Sequence, residues 1–152
     1  MAEIMVVDDD EDIRELVELA LSTEGHRVVT APDGAAALRH LEEDQVDLAI
    51  VDVTMPVLGG IGFTAALRSL ERRSYGLRPR TSVVLLSALT SPDDIDAGLA
   101  AGADGYLPKP FRIADLLRVV RVHLARRDRA QAGDGLDDGE PVEDLCGAWH
   151  GR

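Results

Sequence analysis

Five short apolar runs, each followed by a segment with helically spaced apolar residues, succeed one another from residue 4 to residue 124. That alternation constrains the fold more than any other feature of the chain. Ile4 to Val7 reads as a buried strand. Ile13, Leu16, Val17, Ala20 and Leu21 then follow the i, i+3, i+4, i+7, i+8 spacing of an amphipathic helix, with Gly25 as its stop. Arg27 to Ala31 is a second strand and the Ala-rich stretch from Gly34 to Leu41 a second helix; Leu48 to Val51 and Gly60 to about Arg72 form the third pair. Ser74 to Arg80 is a loop whose arginines read as solvated. A fourth strand, Thr81 to Leu86, leads to Ser91-Pro92-Asp93-Asp94, which starts a helix with an N-cap serine, proline in its first turn and acids beside it. After a stop near Gly102, Gly105 to Leu107 is the fifth strand, and Ile113, Leu116, Leu117, Val120 and Leu124 mark the last helix. Strict β–α alternation predicts an α/β fold with a five-stranded parallel sheet, doubly wound by helices on both faces. Uninterrupted apolar strands agree with it, because a central parallel strand is covered on both sides.

Composition narrows the classes of function. Aromatics are 3% of the chain, so the core must be built from Val, Leu, Ile and Ala. The formal net charge of −12 repels nucleic acid and anionic membranes, so no direct contact with either is expected. No apolar run approaches the roughly 20 residues of a membrane helix, and no signal peptide is evident; a cytoplasmic protein is the expectation. Cys146 stands alone, so no disulfide forms within the chain. From Asp128 the apolar period ends among glycines and acids. Residues 1–127 are thus read as one folded domain and 128–152 as a disordered acidic tail, Cys146 and Trp149 included.

Polar groups collect at the strand ends. The first strand runs into Asp8-Asp9-Asp10, the third into Asp52, the fourth into Ser87 and the fifth into Lys109-Pro110, and Lys109 is the only lysine in the chain. In a sheet of this kind the carboxyl ends of the strands form the binding edge. Carboxylates crowded there repel one another unless a hard divalent cation such as Mg²⁺ relieves them. Lysine and a hydroxyl add donors for phosphoryl oxygens, and a carboxylate, already ionised at neutral pH, needs no general base to act as nucleophile. Of the three leading acids, Asp10 is the one best explained as a cap for the helix that follows.

Ile-Met-Val-Val-Asp-Asp-Asp at 4–10, Val-Asp-Val-Thr-Met-Pro at 51–56, Leu-Leu-Ser-Ala at 85–88 and Gly-Ala-Asp-Gly-Tyr-Leu-Pro-Lys-Pro-Phe at 102–111 resemble the signatures of bacterial response-regulator receiver domains. The resemblance covers about residues 3–126 and implies a flavodoxin-like (βα)5 fold of the stand-alone type. It implies that Asp52 accepts a phosphoryl group from a sensor histidine kinase or histidine phosphotransfer protein, with Mg²⁺ or Mn²⁺ as cofactor. Asp9 would ligate the metal directly, Asp8 partly through water, and Asp52 and the backbone carbonyl of Thr54 would complete the set. Ser87 takes the place of the switch hydroxyl, Lys109 that of the phosphate-binding lysine and Tyr106 that of the switch aromatic; the Lys109–Pro110 bond is expected to be cis. Output would pass to an effector protein, or to a second copy of the chain, through the face made by the fourth helix, fifth strand and fifth helix. Such a protein is a signalling switch and not an enzyme acting on an outside substrate.

Some residues depart from the family pattern. Gly59-Gly60 stands where many members have an acid before the glycine, which predicts a looser loop after Asp52. Thr54 and the apolar Leu89 occupy positions that influence dephosphorylation, and Leu89 suggests a long-lived phosphoryl group. An aspartyl-phosphate phosphatase would need an acid at position 54, where threonine stands. A docking module without phosphorylation has no use for the intact set of Asp8, Asp9, Asp52, Ser87 and Lys109. Gly60-x-Gly62-x-x-Ala65 only superficially matches a dinucleotide fingerprint, being too far beyond the strand end. His26, His40, His123 and His150 show no ligand spacing and read as surface or helix residues.

Overall fold

Burial along the strands alternates between two cores, and this alternation places the helices. In the computed structural model, which describes residues 2–88 and 91–131 (backbone alone for 130 and 131), β1 (Glu3–Val7), β2 (Arg27–Ala31), β3 (Leu48–Asp52), β4 (Ser82–Ser87) and β5 (Gly105–Pro108) form one parallel sheet. Its order is β2-β1-β3-β4-β5. Successive side chains of a strand point to opposite faces. Met5, Val7, Ala49, Val51, Val83 and Leu85 accordingly pack on one side with Leu41, Phe63, Leu67 and Ile95, while Ile4, Val6, Leu48, Ile50, Val84 and Leu86 pack on the other with Val17, Leu21, Leu116 and Val120. Helices α2 (Gly34–Glu43), α3 (Gly60–Arg73) and α4 (Pro92–Ala101) cover the first face; α1 (Glu11–Thr23) and α5 (Ile113–Gln131) cover the second. Phe63 is the only aromatic among the largest fully buried side chains, as the low aromatic content requires.

Local chemistry sets the helix ends. Asp10 caps α1, accepting from the N–H groups of Asp12 at 2.9 Å and Ile13 at 3.4 Å, so it serves the helix as expected. Asp33 caps α2 through Ala36 N–H, and Ser91 caps α4 with Pro92 following. Gly102 ends α4 at φ +111°, a left-handed conformation that side chains resist. Helix α5 continues through Asp128 and Arg129 to Gln131, beyond the domain limit placed at residue 127, because its Ala/Arg-rich end keeps helix-forming residues after the apolar period has stopped. The segment read as a disordered tail, with Cys146, Trp149 and His150, otherwise lies outside the described residues. Among the described residues no helix is long and apolar enough to cross a membrane.

One reading of the sequence is corrected here. The arginines before β4 are not simply solvated. Arg78 donates to the carbonyls of Leu41 and Asp44, and Arg80 donates to Asp104 at 2.6 Å. Through Asp104, Arg80 joins a buried centre at Arg68, whose guanidinium reaches Glu71 at 2.8 Å, Asp104 at 2.9 Å and the carbonyls of Thr81 and Gly102. Asp104 also accepts the N–H of Val83 at 2.8 Å, so one carboxylate ties α3, the start of β4 and the end of α4 together. His123 is a helix residue of α5, within the surface-or-helix reading, and the structure adds that it is 3% exposed and that among the described residues its Nε2 has no partner. Gly105 of β5 makes room for its ring: a Cβ at that position would lie 2.6 Å from Nε2.

Two outcomes follow from these buried groups. Asp104→Ala takes from Arg68 one of its two carboxylate partners and leaves the Val83 N–H without its acceptor, and should cost about 3 kcal/mol in urea unfolding. Burial pushes the His123 pKa down, against the charge of Asp104 and with that of Arg126. The folded protein therefore resists the proton that the unfolded chain takes up near pH 6.5. Stability should fall as pH drops below that value, and His123→Leu should flatten this loss in melting curves between pH 7.5 and 5.

Candidate phosphoacceptor and metal site

The order β2-β1-β3 reverses the direction of chain travel between β1 and β3, opening a crevice at their carboxyl ends. Val7 pairs with Val51 there, so Asp8, the residue after β1, comes beside Asp52, the last residue of β3. Carboxylate oxygens of Asp8, Asp9 and Asp52 all lie within 4.8 Å of one another. Asp8 is fully buried, Asp52 is 6% exposed and Asp9 faces solvent. Asp10 stands outside the group, its carboxylate occupied by the α1 cap.

Lys109 enters from the far side. Its N–H donates to the carbonyl of Ser87 at 2.9 Å, fastening the segment after β5 to the end of β4, and the Lys109–Pro110 bond is cis as expected. The ammonium donates to Asp8 Oδ2 at 3.1 Å and lies 3.4 Å from Asp52 Oδ1. Asp8 Oδ1 accepts the N–H of Asp10 at 3.0 Å, and Asp52 Oδ1 that of Thr54 at 3.4 Å. Ser87 is buried at the end of β4, one strand from Asp52. The structure thus brings Asp8, Asp9, Asp52, Lys109, Ser87 and the Thr54 backbone to one edge. Leu89 lies outside the described residues.

The electrostatics of this edge are unbalanced. Burial, then the charge of Asp8, raises the Asp52 pKa despite the nearby ammonium. Burial alone would lower the pKa of Lys109, but the hydrogen bond and charge of Asp8, followed by those of Asp52, outweigh it and raise it. Three carboxylates facing one ammonium leave excess negative charge among hard oxygen donors. Asp8, Asp9 and Asp52 are therefore able to hold a divalent cation of the Mg²⁺ kind.

Two features were not visible in the sequence. Tyr106 is buried on β5 and donates its hydroxyl to the carbonyl of Asp94 at 2.9 Å. Its ring lies against Gly98 of α4, where a Cβ would come within 2.7 Å of Cε2, so an inconspicuous helix glycine makes the inward position possible. Burial and then Asp94 raise the tyrosine pKa. Gly59 and Gly60, expected to loosen the loop after Asp52, instead let it close on itself. A Cβ at either position would lie 2.6 Å from a carbonyl oxygen, that of Val53 or of Asp52 respectively, and the Gly60 N–H donates to Val53 at 3.0 Å.

Because folding raises the Asp52 pKa, its ionised form is held at a cost to stability at neutral pH. Asp52→Asn should raise the melting temperature in a chelator-containing buffer at pH 7. That gain should shrink as pH falls through the raised pKa, where the parent carboxyl is protonated, and it should reverse when Mg²⁺ is added to both proteins.

The family described as "Response regulator receiver domain" matches residues 4–121. Transcriptional regulatory protein PrrA of Mycobacterium tuberculosis is 44% identical over 124 residues, covering 82% of this chain and 50% of PrrA. Transcriptional regulatory protein CpxR of Escherichia coli is 38% identical over 142 residues, covering 93% and 57% of the two chains. This chain therefore spans about half the length of the curated relatives it matches. Among solved structures, the chemotaxis response regulator CheY4 of Vibrio cholerae superposes with a TM-score of 0.73 at 36% identity, covering 81% of this chain and 98% of that one. A Francisella response regulator receiver domain gives 0.72 at 31% identity, with 83% and 98% covered. With the strand order and the site geometry, these matches establish that the chain belongs to the response-regulator receiver domain family of two-component signalling.

Proposed function

We propose that Asp52 is the phosphoacceptor of this receiver domain and that Mg²⁺, or Mn²⁺ in its stead, binds at Asp8, Asp9, Asp52 and the Thr54 carbonyl. One observation carries the reading: a nearly buried carboxylate at a strand end has two further carboxylates within 4.8 Å and the only lysine 3.4 Å away. An Asp52 oxygen attacks the phosphorus of a phosphohistidine on a sensor kinase or phosphotransfer protein. The P–N bond breaks, its electron pair leaves with the imidazole nitrogen, and an acyl phosphate remains on Asp52. The divalent cation supplies charge neutralisation at the phosphoryl oxygens. Lys109 adds a positive charge and Ser87 a hydroxyl donor on the same oxygens, and Asp8 holds the ammonium in place.

The consequence is a shift between two populations of the domain. In the proposed switch, the added phosphoryl charge draws in Ser87 and Lys109, and this favours the inward, buried position of Tyr106 over an outward one. Its hydroxyl bond to Asp94 and its contact with Gly98 link β5 to α4, which supports a role in reshaping the α4–β5–α5 face. An effector, or a second copy of this chain, would bind that face. The protein would act in the cytoplasm as a switch, and without an acid at position 54 it would not turn over outside phosphate esters.

Incubation with acetyl phosphate and Mg²⁺, followed by intact mass measurement, tests the chemistry. A single phosphoryl adduct is expected, absent with chelator and absent in Asp52→Ala. Failure to label with acetyl phosphate and with a phosphohistidine donor, together with failure to bind beryllofluoride, would refute the reading.

A further inference from the structure

Leu58 sits on the loop between β3 and α3 in a seat walled by two glycines. Its carbonyl accepts the N–H of Gly34, the first residue of α2, at 3.2 Å. A Cβ at Gly34 would lie 2.6 Å from that carbonyl oxygen and 3.1 Å from Leu58 Cβ. On the other side, a Cβ at Gly62 in the first turn of α3 would lie 2.8 Å from Leu58 Cδ1. Any side chain at Gly34 would thus meet backbone, and one at Gly62 the leucine itself.

The seat is held at a conformational cost. Leu58 N–H donates to the carbonyl of Pro56 at 2.8 Å, closing a three-residue turn with Val57 at its centre and φ at +71°. That is the rare, positive-φ kind of γ-turn, and a β-branched residue there is sterically strained. Burial offers no compensation, since Val57 is 82% exposed. A strained residue persists where its surroundings over-determine it. Here the fixed points are the Leu58 seat and the bond from Gly60 N–H to Val53. Between them runs the segment carrying Thr54, whose N–H reaches Asp52.

We propose that Leu58, clasped between Gly34 and Gly62, is a positioning residue that sets the Thr54 backbone against Asp8, Asp9 and Asp52 and so tunes the affinity of the site for Mg²⁺. The inference rests on the metal-dependent reading above and adds to it residues that touch neither metal nor phosphoryl group. Truncation of Leu58 frees Val57 to relax to negative φ, and the Thr54 carbonyl then leaves its place. The chemical groups at Asp52 and Lys109 are untouched, so the loss falls on cation binding and is recovered at high Mg²⁺.

Isothermal titration with Mg²⁺ alone, on the full chain, is the test. Leu58→Ala should weaken Mg²⁺ binding about tenfold, the order seen when groups that orient metal ligands are removed. Its rate of labelling by acetyl phosphate should return toward the parent rate when Mg²⁺ saturates. Leu58→Met should restore the affinity. Val119→Ala, a cavity in α5 on the opposite face, should lower the melting temperature and leave Mg²⁺ affinity unchanged. If Leu58→Ala does not fold, Leu58→Val removes less of the same side chain and should shift affinity in the same direction. Unchanged Mg²⁺ affinity in the Leu58 variants, or an equal loss in Val119→Ala, overturns the inference while leaving the metal site standing. Absence of Mg²⁺ binding by the parent protein overturns both.

Discussion

Repulsion among carboxylates gathered at one edge of the sheet is the constraint on which this protein turns. Asp8 and Asp52 are buried, Asp9 stands beside them, and among the described residues Lys109 is the one cation paired with their carboxylates. A fold selected for stability alone would not keep such a group, because a buried carboxylate without full compensation is costly. The sheet tolerates it by giving each buried member a defined donor. Asp8 takes the Asp10 N–H and the Lys109 ammonium, while Asp52 takes the Thr54 N–H and shares the same ammonium. These donors hold the geometry and still leave excess negative charge, which is the property a cation-dependent phosphoacceptor needs.

The scaffold around that edge is rigid where the chemistry needs it. Strands β1, β3 and β4 each supply apolar residues to both cores, which anchors their ends. At the opposite end of the sheet, Arg68 and Asp104 join α3, β4 and the end of α4. Helix α4 is therefore tethered at Gly102, while near its beginning it meets Tyr106 through the Asp94 carbonyl. The two ends of α4 are thus tied to different parts of the sheet, one through the α3 arginine and the other through a buried tyrosine of β5.

Much of this was legible before any coordinates. Periodicity located all five strands and the first four helices to within a few residues, and the start of α5 but not its end at Gln131, because a parallel strand buried on both sides and an amphipathic helix leave distinct apolar patterns that stop where the burial stops. The strand-end rule then placed Asp8, Asp9, Asp52, Ser87 and Lys109 together, since position at a strand's carboxyl end is a local property. Where the reading fell short, long-range contacts were responsible. His123 looked like one more polar residue of a helix, and only the proximity of Gly105 shows that its ring is enclosed. The arginines before β4 looked solvated because their partners, Asp104 and the carbonyls at the end of α2, lie far along the chain.

Glycine shows the division most clearly. Gly59 and Gly60 suggested a loose loop, yet both are places where backbone meets backbone and a side chain would not fit. The amino-acid sequence by itself determined the β–α alternation, the doubly wound parallel sheet, the acids and lysine at the strand ends and the family to which they point. These follow from local periodicity and from which residue ends each strand. The tertiary structure alone decided that Tyr106 lies inward against Gly98, that Arg68 and Asp104 fasten α4, and that Leu58 is seated between Gly34 and Gly62. Those facts depend on how closely separate segments approach in space, and a distance between residues far apart in the chain is written in no single stretch of it.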